Sequence, residues 1–320
     1  MIKEVLVAGN RGTCGGVNMA LESVNQVLDI VDRRETVYTN WDIVNNTPIM
    51  KNLGDRGLVC VKNDWDKVPD GSILLFSAHG VPPNFHEIAR GKNLTVIDAT
   101  CQLVNRVHSL VKNAVDHGKH VVYVGVKNHP ETLGVMGEVD GQDISLVENM
   151  ADIENLKIPG KSAVVYSQTT LSTAEIRQKI LRLKERFPDI WIPSRWDICY
   201  AADNRQQAVE KLVKLVDLLI IVGSKHSHNS EELRRIGEMA KMPSFLIDSP
   251  LEIDKGWFGE NIQKIGLSSG ASVLESNTES VLDWFRDKDV LIKYLPQVVS
   301  EKSMMFKLPQ ASINLLKARY

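Results

Sequence analysis

Three times along the chain a short extended segment runs into a cysteine and then into a helical pattern. The stretches are VLVAGNRGTCGGVNMA around Cys14, LTVIDATCQLVNRVHSLV around Cys101 and SRWDICYAADNRQQAVEKLV around Cys199. After Cys14 the apolar residues Val17, Ala20, Leu21, Val24, Val27, Leu28 and Val31 recur at helical spacing, as do Val104, Val107, Leu110, Val111 and Ala114 after Cys101. Ala208, Val209, Leu212 and Val213 repeat the pattern after Cys199. Such a recurrence at roughly the spacing of one small domain is the signature of repeated structural units.

Each unit continues in the same way. A second apolar strand ends in a polar loop (TVYTNWDIVNN, VVYVGVKNHPE and LLIIVGSKHSHNS), a plainer third strand follows (LVCVK, ISLVE and SFLID), and a fourth again ends in small or polar groups (ILLFSAHG, AVVYSQTT and KIGLSSGAS). Helical patterns between the strands predict parallel pairing. The chain should therefore form three related small α/β domains with mainly parallel four-stranded sheets. The expected boundaries are 1–99, with 286–320 returning to it, 100–195 and 196–285. In parallel sheets ligands bind outside the carboxyl ends of the strands. All three cysteines and all the polar loops fall at those ends, and pseudo-threefold packing of the units would bring them around one centre.

At 320 residues, 43% apolar and 24% charged, the chain can fold throughout into two or three domains. A net charge of -2 offers no basic face for nucleic acid or an anionic membrane. The longest apolar stretch, LLIIV, is far below the ~20 residues of a membrane helix, and the N-terminus does not read as a signal peptide. A cytoplasmic monomer acting on a small molecule is the expectation. Nothing spaces Trp41, Trp65, Trp191, Trp196, Trp257 and Trp284 as a cofactor-binding box, so they read as packing residues.

A lone cysteine at a strand end is ordinarily a small buried residue. Three equivalent ones, each ahead of a helix whose N-terminus favours thiolate, point instead to shared metal ligation by Cys14, Cys101 and Cys199. Structural zinc usually takes four protein ligands, commonly with a C-x-x-C pair, and there is none here. An iron-sulfur cluster prefers thiolate, and three ligands would leave one iron open to substrate. Cys60, in a plain third strand, reads as core.

The polar loops suggest an anionic substrate, because strand-loop-helix junctions rich in Ser, Thr, His and Asn offer donors to phosphate oxygens. His129 and Glu131 form a plausible proton-delivery pair. Ser172 and Glu175 read as a capping box, and Asn229 or Ser230 as the cap of the helix after KHSHNS. The histidines His86, His108, His117, His120 and His226 read as surface or capping residues. No G-x-x-x-x-G-K-[ST] stretch supports nucleotide hydrolysis.

The segments DATCQLVNRVH, SAHGV, NHPE, SQTTLS, DICYAADNRQ, GSKHSHNS and GASV, in this order, and the closing MFKLP resemble the motifs of the 4-hydroxy-3-methylbut-2-enyl diphosphate reductase family. The resemblance spans nearly the whole chain. It implies three α/β domains in pseudo-threefold arrangement around a central 4Fe-4S cluster, held by Cys14, Cys101 and Cys199 with one iron not ligated by protein. It also implies a two-electron, two-proton removal of an allylic hydroxyl, with ferredoxin or flavodoxin as donor. Matched position by position, Glu131 is the proton-relay carboxylate and Thr169 the hydroxyl that orients the substrate alcohol. His79, His129, Thr170, Ser227, Asn229 and Ser272 fall among the substrate-binding groups. The sequence departs from the family pattern at three places: Asn45 stands where it has histidine, His228 where it has serine, and GASV-L where it has GASA-P. An asparagine donates a hydrogen bond but carries no positive charge, and His228 could restore one. These departures leave open a different phosphorylated allylic alcohol as substrate, and a catalytically idle redox sensor is the reading from another class.

Overall fold

The computed structural model describes residues 2–31, 35–160, 162–193, 197–301, 304 and 306–319, so Trp196 and Met305 of the MFKLP stretch lie outside the described residues. In chain order the elements are β1 (Glu4–Val7), α1 (Gly15–Ile30), β2 (Val37–Thr39), α2 (Thr47–Asp55), β3 (Leu58–Cys60), β4 (Ile73–Phe76), α3 (Pro83–Gly91), β5 (Thr95–Asp98), α4 (Gln102–Asp116) and β6 (His120–Val124). There follow α5 (Pro130–Met136), β7 (Ile144–Val147), α6 (Met150–Asn155), β8 (Ala163–Ser167), α7 (Thr173–Arg186), α8 (Tyr200–Leu212) and β9 (Leu218–Val222). The chain ends with α9 (His228–Met239), β10 (Ser244–Ile247), β11 (Lys264–Ser269), α10 (Glu275–Arg286), β12 (Leu291–Tyr294) and α11 (Gln310–Arg319).

Among the described residues every strand pairing is parallel, as the alternation with helices predicts. The sheets carry five, four and three strands in the orders β10-β9-β11-β1-β12, β3-β2-β4-β5 and β7-β6-β8. Each contains the same kernel, in which the strand after the cysteine helix lies between the third and fourth strands of its repeat. Four strands per sheet hold for one of the three, and the five and three of the others follow from where the cysteine-leading segments pair. The segment that leads into each cysteine joins the sheet of another repeat: β5 pairs with β4, β1 pairs with β11 of the third repeat, and Trp191 forms a single bridge to Val164 of β8. A parallel neighbour needs a crossover, and the last strand of a repeat supplies its open edge to the next segment of chain. The 286–320 segment divides, with β12 pairing to β1 and α11 packing near β5.

The chain forms two compact units. One comprises Met1–Val17, Asn45–Ile49 and Tyr200–Met305 and holds the five-stranded sheet; the other comprises Asn18–Val44, Met50–Cys199 and Phe306–Tyr320 and holds the other two. In the first, strand residues alternate between two cores. Val5, Val7, Ile220 and Leu267 face Val281, Leu282 and Phe285 of α10, while Leu6, Leu219 and Ile221 face Val209 and Leu212 of α8 and Leu233 of α9. In the second unit, Val122, Val124 and Val165 meet Ile153, Ile176 and Leu183, and Val121, Tyr123 and Val164 meet Val107 and Val111 of α4. Sheets buried on both faces account for the near-continuous apolar strands. Full burial of each such side chain contributes about 1.5–3 kcal/mol.

Two expectations about surface residues are corrected. His108 and His120 are buried, the first paired through Nδ1 to Glu138 at 2.6 Å and the second through Nε2 to Ser145 at 2.9 Å, because each side chain finds a polar partner inside. Trp191 is half exposed, with Lys119 over its ring, since its backbone rather than its indole engages the sheet. The His108 ring packs on Gly134 of α5, where an added Cβ would stand 3.1 Å from Cε1, and its tie to Glu138 prevents retreat. Gly134→Ala is therefore expected to cost about 1–3 kcal/mol in denaturant unfolding, and Gly141→Ala, with nothing within 4 Å, to cost far less. Equal stabilities for the two variants would contradict this packing.

Candidate functional site

In the second unit the polar loops meet at the carboxyl ends of β4, β6 and β8. His79 follows β4 and His129 follows β6, and their rings stand edge to face with centroids 5.8 Å apart. Nδ1 of His79 lies 3.1 Å from the Ser77 hydroxyl, and Nδ1 of His129 accepts from the Glu131 N–H at 3.2 Å, capping α5. Burial lowers the pKa of His79 to about 4, so the ring is neutral near pH 7. A tautomer in which the Ser77 hydroxyl donates to Nδ1 would put the His79 hydrogen on Nε2, and Nδ1 of His129, as an acceptor, puts its ring hydrogen there too.

Glu131 lies in the first turn of α5 and is 2% exposed. The Thr169 N–H donates to its Oε1 at 2.7 Å and the Thr169 hydroxyl donates to Oε2 at 2.9 Å. Burial raises the pKa of Glu131 to about 7, against the two Thr169 hydrogen bonds that favour the anion, and the charge of Asp197 adds to the rise. Asp197 is itself raised to about 6, chiefly by burial. Sequence reasoning missed Asp197 as a contributor, although it stands in the DICYAAD segment; nothing in that pattern signals its burial. Thr170 accepts from the Gln168 side chain at 2.9 Å, and Gln168 also accepts from Thr132 at 3.2 Å, so the SQTT turn is tied to α5 by a second route.

The cysteines occupy equivalent positions. Cys101 is the N-cap of α4 and its N–H donates to Ala78 O at 3.1 Å, in the His79 loop. Cys199 immediately precedes α8 and its N–H donates to Thr169 O at 2.8 Å. In the first unit Cys14 precedes α1, its N–H donates to Ala271 O at 3.1 Å, and its sulfur accepts from the Val17 N–H at 3.5 Å. All three are part-exposed thiols outside any disulfide. Cys60 is part-buried at the end of β3, and burial pushes its thiol up to about 11, which fits an inert residue. Among the described residues no three His, Cys, Asp or Glu side chains gather as a site for a single metal ion.

The first unit also carries the remaining candidates. The Ser272 hydroxyl donates to Asn45 O at 2.9 Å, and the Thr47 N–H donates to Ser224 Oγ at 2.9 Å, so the Asn45 segment is buckled to this unit at two points. Asn46, not Asn45, caps α2 by accepting from the Ile49 N–H. The cap of α9 is Ser227 rather than Asn229 or Ser230, because the helix begins at His228 and leaves Ser227 in extended conformation to accept from the Ser230 N–H at 3.4 Å. Asn229 is thereby left 6% exposed with neither end of its amide paired. His228 lies 3.9 Å from Glu232 on the same helix. The Ser172 capping box forms only in part: Ser172 accepts from the Glu175 N–H, while the Glu175 carboxylate turns to Lys179.

Residues 5–286 match the family model described as LytB protein. The chain belongs to that family. Among its LytB-type relatives, the 4-hydroxy-3-methylbut-2-enyl diphosphate reductase of Zymomonas mobilis is 40% identical, over 100% of this chain and 92% of the relative. The enzyme of the same name from Actinobacillus pleuropneumoniae is 38% identical over 96% of this chain and 97% of the relative. The solved structure of the Plasmodium falciparum reductase matches with a TM-score of 0.94 at 32% identity, covering 100% of this chain and 99% of that one. Family membership expected from the motifs is thus established, and the mixed α/β class with it. Among the described residues no helix of this LytB-family chain is long and apolar enough to cross a membrane.

The raised pKa of Glu131 has a consequence for stability. Because the folded value of about 7 lies above the ordinary 4.5, the folded protein binds the extra proton between those values, and stability falls as pH rises through that window. The loss approaches about 3 kcal/mol above pH 7. Asp197 acts in the same direction between its ordinary 3.8 and about 6. Glu131→Gln should remove the Glu131 part, so that its stability relative to wild type rises from pH 4.5 to pH 8 in urea unfolding; a difference independent of pH would contradict the shift.

Proposed function

We propose that this chain removes the allylic hydroxyl group of 4-hydroxy-3-methylbut-2-enyl diphosphate, giving isopentenyl and dimethylallyl diphosphates. The observation that carries it is the buried Glu131 carboxyl, poised to hold a proton near neutral pH and joined directly to the Thr169 hydroxyl. Reductive loss of a hydroxyl consumes two electrons and two protons and releases water, so it needs an acid that is protonated at working pH and shielded from bulk water. The named relatives favour this substrate over another allylic alcohol or an idle redox sensor.

Cys14, Cys101 and Cys199 would hold a 4Fe-4S cluster with one iron left without a protein ligand. Their chemistry fits: three part-exposed thiols, each at a helix N-terminus, suit a soft thiolate-binding cluster better than zinc. When bound, that group supplies the electrons, received from ferredoxin or flavodoxin, and a Lewis-acidic position for the alcohol.

The chain's own residues bind, orient and protonate. When Glu131 is protonated, its carboxyl can donate to Thr169 Oγ1, which frees the threonine hydrogen to point at the substrate alcohol; the hydroxyl then serves as a one-proton bridge. The Nε2–H groups of His79 and His129 would bind the diphosphate as hydrogen-bond donors. The unpaired Asn229 amide, with Ser227, Ser272, Thr170, Asn45 and His228, would complete recognition. Ser272 already spends its hydrogen on Asn45 O, so it can donate to an anion only by releasing that bond.

Under strictly anaerobic conditions with a strong reductant, the purified protein should carry about four irons per chain and consume the hydroxylated diphosphate. Cys14→Ser, Cys101→Ser and Cys199→Ser should each lower the iron content. Glu131→Gln should retain iron yet lose at least about 100-fold in kcat, the usual yield of a positioned acid. Bound zinc, or full turnover by Glu131→Gln, would overturn the proposal. Asn45→His and His228→Ser should shift KM for the diphosphate, and unchanged kinetics in both would remove these positions from the substrate contact.

A further inference from the structure

The segment DNRQ contains a buried cation that the reaction above does not use. Arg205, in α8, is 1% exposed. Its Nε and Nη2 donate to Gly12 O at 3.0 and 2.7 Å, Nη2 also reaches Arg11 O and Thr13 O at 3.4 Å, and Nη1 donates to Ala201 O at 2.7 Å. Three successive carbonyls of the turn that precedes Cys14 thus converge on one guanidinium, at a turn where Gly12 has a φ of 72°. A planar fork with five donors can hold such a turn, and a lysine cannot.

The opposite charge comes from the C-terminal part of the chain. The Glu301 carboxylate accepts from Arg205 Nη1 at 3.2 Å and from Asn204 Nδ2 at 2.9 Å. Asn10, four residues before Cys14, accepts from the Val298 N–H at 2.7 Å and donates to Val299 O at 2.8 Å. Backbone of the same segment lies against both ends of the turn. A Cβ on Gly9 would stand 2.3 Å from Pro296 O, and one on Gly15 would stand 2.3 Å from Met304 O. Both glycines are explained by this passage of chain, since any side chain would displace it.

We propose that residues 296–301 and 304 form a strap over the Cys14 turn, latched by Glu301 to Arg205, and that Arg205 is the positioning residue that fixes this turn and limits access to its part-exposed sulfur. A buried guanidinium is stable only while its counter-charge is present, so the latch and the turn open together. The role given to Cys14 rests on the proposed cluster, but the control of access does not.

The test is alkylation of the full-length, metal-free protein by iodoacetamide, followed residue by residue by mass spectrometry. Cys101, in the other compact unit, serves as the internal reference. Glu301→Gln and Arg205→Lys should raise the Cys14 to Cys101 rate ratio by about tenfold or more, since labelling then follows local opening rather than global unfolding. Glu301→Asp should restore much of the protection. If Arg205→Lys fails to fold, Glu301→Gln alone decides. In protein loaded with iron anaerobically, the same variants should lose iron faster in air. A wild-type Cys14 to Cys101 ratio in folded Glu301→Gln would overturn the proposal. Full iron retention in Cys14→Ser would instead overturn the ligand role of Cys14 and leave the strap standing.

Discussion

The contact between Glu131 and Thr169 is the interaction on which the proposed chemistry depends. A carboxyl that is 2% exposed would ordinarily surrender its charge, and one that accepts two hydrogen bonds would ordinarily keep it. Here the two tendencies oppose each other, and burial wins by enough to move the pKa to about 7. The group can therefore hold a proton or release it at neutral pH, and it is joined to a hydroxyl that can accept and donate at once. The fold bears a stability cost of a few kcal/mol for this arrangement, a sizeable share of the 5–15 kcal/mol that keeps a typical domain folded.

Parallel pairing makes that contact possible. When every strand in a sheet runs the same way, all the strand-to-helix turns lie on one edge, and β6 and β8 deliver Glu131 and Thr169 to the same place. The same rule places Cys101 beside the His79 loop and Cys199 beside Thr169 through backbone hydrogen bonds. In the first unit it sets Cys14 against Ala271 and buckles Asn45 to Ser272. Cys14 and Cys101 are reached by strands that have joined the sheet of another repeat, so their turns are anchored by a strand before and a helix after; ahead of Cys199 the chain makes a single bridge, Trp191 to Val164.

Much of this was legible in the amino-acid order. The recurrence of strand, cysteine and helix is a pattern in hydrophobic period and small residues, and those are properties of local sequence. The kernel strands, the three cysteine helices and the polar loops follow from it. The strand that changes sheet does not, because β5 and β1 look the same whether they pair forward or backward. The cap of α9 is Ser227, two or three residues before the Asn229 or Ser230 that the sequence suggests, since all three are good caps and only the helix start separates them. Asp197, the burial of His108 and the Arg205 latch depend on contacts between distant segments, which carry no local period. The sequence pairs Glu131 with its neighbour His129, whereas its hydrogen-bond partner is Thr169, 38 residues away.

The most direct test of the account is a carbon-13 NMR titration of protein labelled at the glutamate side-chain carboxyls, with the Glu131 resonance assigned by its absence in Glu131→Gln. The account predicts a midpoint near 7 for that one resonance, well above the ordinary glutamate value of 4.5. A midpoint at or below 4.5 would mean that the Thr169 hydrogen bonds outweigh burial, and that Glu131 cannot serve as the reserved proton.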